Sequence, residues 1–240
     1  MSFWIPPRRP GREWLDDPAL SSDDMAESLG DIARVDRAWG GSSILARWLL
    51  ARIPSRERRP ASILDLGAGS ALPARRLRRQ LAEAGIDARI FALDLQWRHL
   101  AAGARMDGRE PLPGLAADAF RLPLPAGSVD WVVATLLLHH FSPGELSELF
   151  LEIRRVARLG FALLDLRRHR APLAFVAVAG RFAFRSRVSV HDGIVSVRQA
   201  YTPEELRAIV SLSAPSAKVE RVFPFRILVS SSEPSTLDPL

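Results

Sequence analysis

The chain has 240 residues, 48% of them hydrophobic and 25% charged, enough for one α/β domain with a substantial core and extra helices. It has no cysteine, which excludes disulfides, thiolate metal sites and cysteine nucleophiles; its five histidines lack any metal-helix spacing, so no metal site is expected. The net charge of +6 and the pI of about 11.0 point on their face to nucleic acid, but 32 of the 33 basic residues are arginine and they are spread along the chain, so nucleic acid is the alternative partner and a small molecule the leading one.

Residues 1–20 carry five of the prolines and glycines that break regular structure (Pro6, Pro7, Pro10, Gly11, Pro18) and read as an extended arm. No apolar signal core is present and no apolar run approaches a membrane span, so a cytoplasmic protein is expected. Ser21 or Ser22 opens a helix with acids near its positive end. Met25, Leu29, Ile32, Val35 and Trp39 recur on one face, and Gly40-Gly41 stops it. A second helix is predicted over 44–53, then a polar linker over 54–60. Residues 1–60 thus read as an arm with lid helices, and the main domain as 61–240.

From 61 on, strand and helix patterns alternate. Strands are predicted at 62–66, 88–93, 115–118, within 129–138 and at 161–166; helices fall at 73–84, 96–105 and after Ser142, where Ser142-Pro143-Gly144-Glu145 is a capping box. Residues 167–200 are an insertion, strongly apolar over 171–179. A helix over 201–213 and a hairpin over 217–231, with Pro224 at its turn, close the domain. Such alternation builds a parallel sheet with helices on both faces, and ligands then lie beyond the carboxyl ends of the strands. The turns there are where chemistry is sought.

After the first strand, Asp65-Leu66-Gly67-Ala68-Gly69-Ser70-Ala71 lets the backbone come close to a ligand. Leu72 occupies the place where a dinucleotide fingerprint needs its third glycine, and no Walker lysine follows. Asp94 ends the second strand, where an acid can accept from ribose hydroxyls. Asp118 ends the third, with Ala119 and Phe120 beside it, where it can accept from an adenine amino group. His139 and His140 follow the fourth strand. Each is read as a general base or as a cap on the next helix. His191-Asp192 is read as an oriented base or, with Gly193 following, as a turn. Arg167 and Arg168 read as holding an acidic substrate or as solvated surface; Trp39 and Phe120 read as packing.

ILDLGAGSA (63–71), FALDLQ (91–96), AADAFRLPLPAGSVDWVVATLLLHHF (116–141) and ALLDLRR (162–168) together resemble the class I S-adenosylmethionine-dependent methyltransferases, in the branch similar to ubiquinone/menaquinone-type small-molecule enzymes. The arm EWLDDPAL and the stretch SRVSVHDGIVSVRQAYTPEELR are similar to a bacterial subgroup tied to polyketide-type biosynthesis. The resemblance implies a Rossmann-like seven-stranded sheet with the N-terminal helices and the 167–200 insertion as lid, and S-adenosylmethionine as cofactor. It implies that Asp65, Gly67, Ala68 and Gly69 line the methionine part, Asp94 and Leu95 hold the ribose, Asp118 and Ala119 flank the adenine, and Leu136 closes over the sulfonium. Ala71 departs from the family, which often has glycine there. His139, His140 and His191 stand as the candidate catalytic residues. The reaction implied is O- or C-methylation of a small, hydrophobic or aromatic acceptor, with RNA methylation as the alternative.

Overall fold

The computed structural model describes residues 4–54, 59–107 and 112–232. Part of the predicted linker (55–58), the start of the arm (1–3) and the last eight residues (233–240) therefore lie outside the described residues.

The apolar runs become strands because a parallel sheet covered on both faces needs side chains that are apolar on both sides. Strands β1 (Ala61–Leu66), β2 (Ala88–Asp94), β3 (Gly114–Ala116), β4 (Val129–Thr135) and β5 (Ala157–Leu166) pair in parallel. The hairpin β6 (Lys218–Val222) and β7 (Arg226–Ser231) joins antiparallel, with β7 against β5. The order is β3-β2-β1-β4-β5-β7-β6, a seven-stranded sheet. One face is packed by α5 (Pro143–Val156) and α8 (Pro203–Ser213), which bury Leu146, Leu149, Phe150, Ile153, Leu206 and Val210. The other is packed by α2 (Gly41–Leu50) and α3 (Leu72–Glu83), with Ile44, Leu45, Leu49, Leu77 and Leu81 buried. The predicted capping box forms at Ser142/Glu145, and a second one forms at Thr202/Glu205.

Three boundaries differ from the pattern reading. Gly40, at φ +70, does end α1 (Ser22–Trp39), but the chain re-enters a helix at once, so α2 starts at Gly41. The Asp36 side chain makes this possible by accepting from the Ser42 N–H (2.6 Å) and hydroxyl (2.7 Å). β5 begins at Ala157 rather than 161, because α5 runs straight into it. Gly160, which looks like a breaker, sits at φ +145 where the β4–β5 register slips, as at a bulge. β3 is displaced to 114–116, which leaves Asp118 in the turn beyond it.

The insertion is two helices, α6 (Arg170–Ala183) and α7 (Arg187–Gln199), packed on each other. α7 also packs on α1 and on a single 3₁₀ turn, Leu138–His140, that follows β4. The arm runs alongside them. Its Arg9 N–H donates to the Arg198 carbonyl (3.0 Å), and its Trp14 and Leu15 N–H groups donate to the two oxygens of Asp192 (2.8 and 2.9 Å). Among the described residues no helix is long and apolar enough to cross a membrane.

Candidate functional site

A cavity of about 710 Å³ opens beyond the carboxyl ends of the strands. Its first wall is the turns after β1, β2, β3 and β4; its second is α1, α6, α7 and the start of β7. The β1 turn has three residues in the left-handed region, Gly67 (φ +63), Gly69 (φ +53) and Ala71 (φ +55). A Cβ at Gly67 would come within 2.7 Å of the tip of the Leu137 side chain, at a backbone angle that disfavours any side chain, so glycine suits the position. At Ala71 the chain accepts a strained residue in place of glycine, at about 1–2 kcal/mol. Leu136, after β4, is also at φ +57. A bulky residue held there is local strain of the kind that gathers at binding sites.

Asp94 ties two of these turns together. One oxygen accepts from the Gly69 N–H and the other from the Gln96 N–H, each at 2.8 Å. His99 reaches the same carboxylate with Nδ1 at 3.4 Å. Asp118 accepts from the Phe120 N–H at 2.9 Å, and Ala119 and Phe120 line the cavity beside it. Gly67, Ala68, Gly69, Leu95 and Leu136 are also on the lining; Asp65 is not. Asp65 is buried behind the turn, and burial, with the charges of Asp94 and Asp36, pushes its pKa up to about 8.

The histidines separate into three roles. His139 is 2% exposed, and a carboxylate faces each ring nitrogen: Asp165 at 2.7 Å from Nδ1 and Glu13 at 3.3 Å from Nε2. Burial alone would lower its pKa, but Asp165 and Glu13 reverse this and carry it up to about 10. Burial opposes ionisation of Glu13 too, yet its bond to His139 pulls it down to about 2. Glu13 also accepts from the Ser196 hydroxyl (2.6 Å) and the Gln199 amide (3.0 Å). His139 thus lies between two carboxylates that favour its charged form, at a point where it borders the cavity.

His140 lies next to it on the cavity wall, partly exposed, with Nδ1 3.6 Å from Asp16 and Nε2 3.9 Å from Glu13. Burial and the His139 charge hold its pKa below the usual value. His191 stands apart. It lies within α7, not in a turn, is absent from the cavity lining, stacks its ring on Trp14 at 3.8 Å and bonds Asp192 at 2.7 Å. It fastens the arm, and the geometry gives it no access to the cavity.

Ligand atoms of Glu13, His139 and His140 lie within 4.8 Å of one another, a set able to hold a metal ion that no sequence spacing announced. In the structure the His139 ring sits between the Glu13 and Asp165 carboxylates. Arg168, read as a possible substrate contact, is instead buried and bonded to Glu205 and to the Pro6 and Ala200 carbonyls. Arg167 lies over the Phe225 ring at 5.2 Å. Trp39 does pack, edge-on against Phe175 at 5.3 Å, but on the cavity lining. Glu13, Asp16 and Arg226 were not singled out from sequence. The acid-rich EWLDD in a proline-broken arm was the one signal available for the first two.

Residues 64–164 match the family described as "Methyltransferase domain". Similar solved structures include an S-adenosylmethionine-dependent methyltransferase from Aquifex aeolicus, 19% identical, aligned over 77% of this chain and 87% of that one with a TM-score of 0.53. Human N-acetylserotonin methyltransferase in complex with S-adenosylmethionine is 16% identical over 89% of this chain and 57% of that one, TM-score 0.60. Magnesium protoporphyrin IX methyltransferase from Synechocystis with bound S-adenosylhomocysteine is 13% identical over 91% and 90%, TM-score 0.54. No curated protein matches the chain in sequence. At these identities the solved structures speak for the fold, and the matched segment speaks for the domain. Residues 64–164 are a methyltransferase domain, and the chain has the fold of the class I S-adenosylmethionine-dependent methyltransferases.

Proposed function

We propose that the protein methylates a small, largely apolar or aromatic acceptor, most simply at a hydroxyl oxygen. The observation that carries this is one cavity with two unlike walls. The glycine turn, Asp94 and Asp118 form a polar strip on one side; Val35, Trp39, Phe175, Val176 and Phe225 form an apolar one on the other. The residues present fit S-adenosylmethionine. Gly67 and Gly69 hold the turn in the left-handed region on the cavity lining, Asp94 keeps free lone pairs for ribose hydroxyls, and Asp118 with Ala119 suits the adenine edge and face. When bound, the cofactor supplies a methyl group already activated on a sulfonium.

The chain's own task is then alignment, exclusion of water and removal of one proton. His140 takes the acceptor's hydroxyl proton on Nε2, and Asp16, near Nδ1, favours the imidazolium so formed. A bound cofactor would supply the methyl group to the oxygen so deprotonated. His139 holds the turn that carries His140 and stays charged throughout. Calorimetry with S-adenosylmethionine tests the reading, and absence of binding at millimolar cofactor sinks it. His140→Ala is expected to lower kcat roughly ten- to a hundredfold and to remove the acid limb of the pH profile, with cofactor affinity unchanged.

Asp65 gives a second check on the cofactor. Protonated at pH 7, it should lose part of that proton when a cationic ligand binds in front of it. Titrations in buffers of different ionisation enthalpy should therefore register a net proton release of less than one per site, and Asp65→Asn should abolish it.

One observation favours a polyanionic acceptor such as RNA. A groove of about 660 Å³ between α1 and α3 is lined by Arg34, Arg37, Arg75, Arg76, Arg78 and Arg79, and shares Arg34 and Pro73 with the cavity. Against it, Thr135-Leu136-Leu137-Leu138 replaces the Asn/Asp-Pro-Pro-aromatic motif of amino-methylating RNA enzymes. Steeply salt-dependent binding of a labelled RNA oligomer would shift the balance to this reading. A cytoplasmic setting is consistent with both.

A further inference from the structure

Arg226 is the first residue of β7, and antiparallel pairing sets it opposite Leu166, the last residue of β5. It therefore stands at the edge of the sheet where the parallel strands end, on the cavity lining, and it is 4% exposed. Its Nε has no hydrogen-bond partner, and no carboxylate pairs with it among the described residues. Arg168, equally buried, shows what such a residue ordinarily has: a carboxylate and two carbonyls. The two acids whose charge Arg226 feels are Asp165 and Asp36. Asp165 is committed to His139, and Asp36 to Ser42. Burial lowers the pKa of Arg226, but a guanidinium does not give up its proton in a protein. A lone buried cation is costly, and the usual solution is a counter-charge.

The surroundings say what would bring that charge. The cavity that Arg226 lines is also lined by its neighbour Phe225 and by Val35, Trp39 and Phe175, with the Trp39 and Phe175 rings edge to face. Two strands, β4 and β5, separate β7 from β1. At ordinary strand spacing Arg226 then lies roughly 14 Å across the sheet from the strand that carries the glycine turn. The missing anion therefore belongs to the acceptor's half of the cavity and not to the methionine end.

We infer that Arg226 is the anchor for a carboxylate on the acceptor, so that the preferred acceptors are apolar or aromatic acids. The planar fork of the guanidinium matches a carboxylate in two parallel hydrogen bonds, and the rings grip the apolar body. This rests on the methyltransferase reading of the cavity, and the test separates the two.

Protein saturated with S-adenosylhomocysteine is titrated by calorimetry with 1-naphthoate and with its neutral isostere 1-naphthamide. The acid is expected to bind at least tenfold more tightly. Arg226→Met should erase that preference while leaving S-adenosylhomocysteine affinity unchanged and the melting temperature equal or higher, because among the described residues no side-chain hydrogen bond or ion pair is lost. Arg226→Lys should keep part of the preference. Equal affinity for acid and amide in the native protein overturns the inference, as does a preference that survives Arg226→Met. A fall in S-adenosylhomocysteine affinity in that variant would reassign the charge to the cofactor and also overturn it. Should S-adenosylhomocysteine fail to bind the native protein, the methyltransferase reading falls, while the naphthoate titration on unloaded protein still decides whether Arg226 is an anion site.

Discussion

Asp165→Ala should destabilise the protein by about 3–5 kcal/mol, as expected when one member of a buried charged network is removed and its partner is left behind. Asp165 faces the Nδ1 of His139, accepts from the His139 backbone N–H and accepts from the Leu166 N–H. On the far side of the ring, Glu13 is held by His139, Ser196 and Gln199. The network is thus a rivet through three layers: the end of β5, the turn after β4, and the N-terminal arm with α7. Without Asp165 the buried ring loses its nearer counter-charge, and His139 must either neutralise or pull the turn apart.

The same network fixes a pH signature. The His139 pKa is raised from 6.5 to about 10, so its contribution is complete below pH 6.5 and is lost as pH rises through 10. Glu13 is lowered from 4.5 to about 2, so its contribution is complete above pH 4.5 and is lost as pH falls through 2. The raised pKa of Asp65, from 3.8 to about 8, acts in the opposite sense to Glu13, lowering stability as pH climbs between those values. The informative quantity is therefore the difference between native protein and Asp165→Ala, from denaturant unfolding at several pH values. It should be large near pH 6 and shrink towards pH 10. A variant within 1 kcal/mol of native at pH 6 would show the network to be dispensable, contrary to the burial of its members.

The contrast between what was readable and what was not has one physical source. Strands β1 and β4 announce themselves because burial on both faces forces largely apolar runs, and the glycine turn because its backbone angles force particular residue types. Asp94 and Asp118 follow once the strand ends are known. The acceptor half has no such local rule. Glu13 is polar in a proline-broken arm, and nothing near it in sequence says that the arm docks on α7 and delivers a carboxylate to His139. Arg226 looks like one arginine among many until β7 folds back against β5 and sets it over the cavity. His139 and His140 are adjacent and identical in type. Only the packing around them sets one between two carboxylates that raise its pKa and leaves the other more exposed, with its pKa lowered.

Gly103→Ala should weaken S-adenosylmethionine binding by about a hundredfold or more, although Gly103 is far from any sequence motif. It lies in α4 (Trp97–Asp107), where alanine is ordinarily worth about 1 kcal/mol to helix stability. Here a Cβ would fall 1.8 Å from the Ser70 carbonyl oxygen and 2.5 Å from its carbon, and both atoms are backbone. No side-chain rotation relieves such an overlap. Either α4 or the Gly69–Ala71 turn must shift, and the turn has little freedom, held by Asp94 at Gly69 and already at positive φ at Gly69 and Ala71. Overpacking of this kind costs about 1–3 kcal/mol in stability. The larger loss is in ligand geometry, since misplacement by about 1 Å is enough to cost a hundredfold where alignment carries the function. Gly144→Ala is the matched control: that glycine lies in the first turn of α5 with nothing within 4 Å of the added Cβ, so it should be neutral or slightly stabilising. Calorimetric titration of both variants decides the matter. Binding within threefold of native for Gly103→Ala would mean that the β1 turn can move without cost, and that its left-handed residues do not define the cofactor's seat.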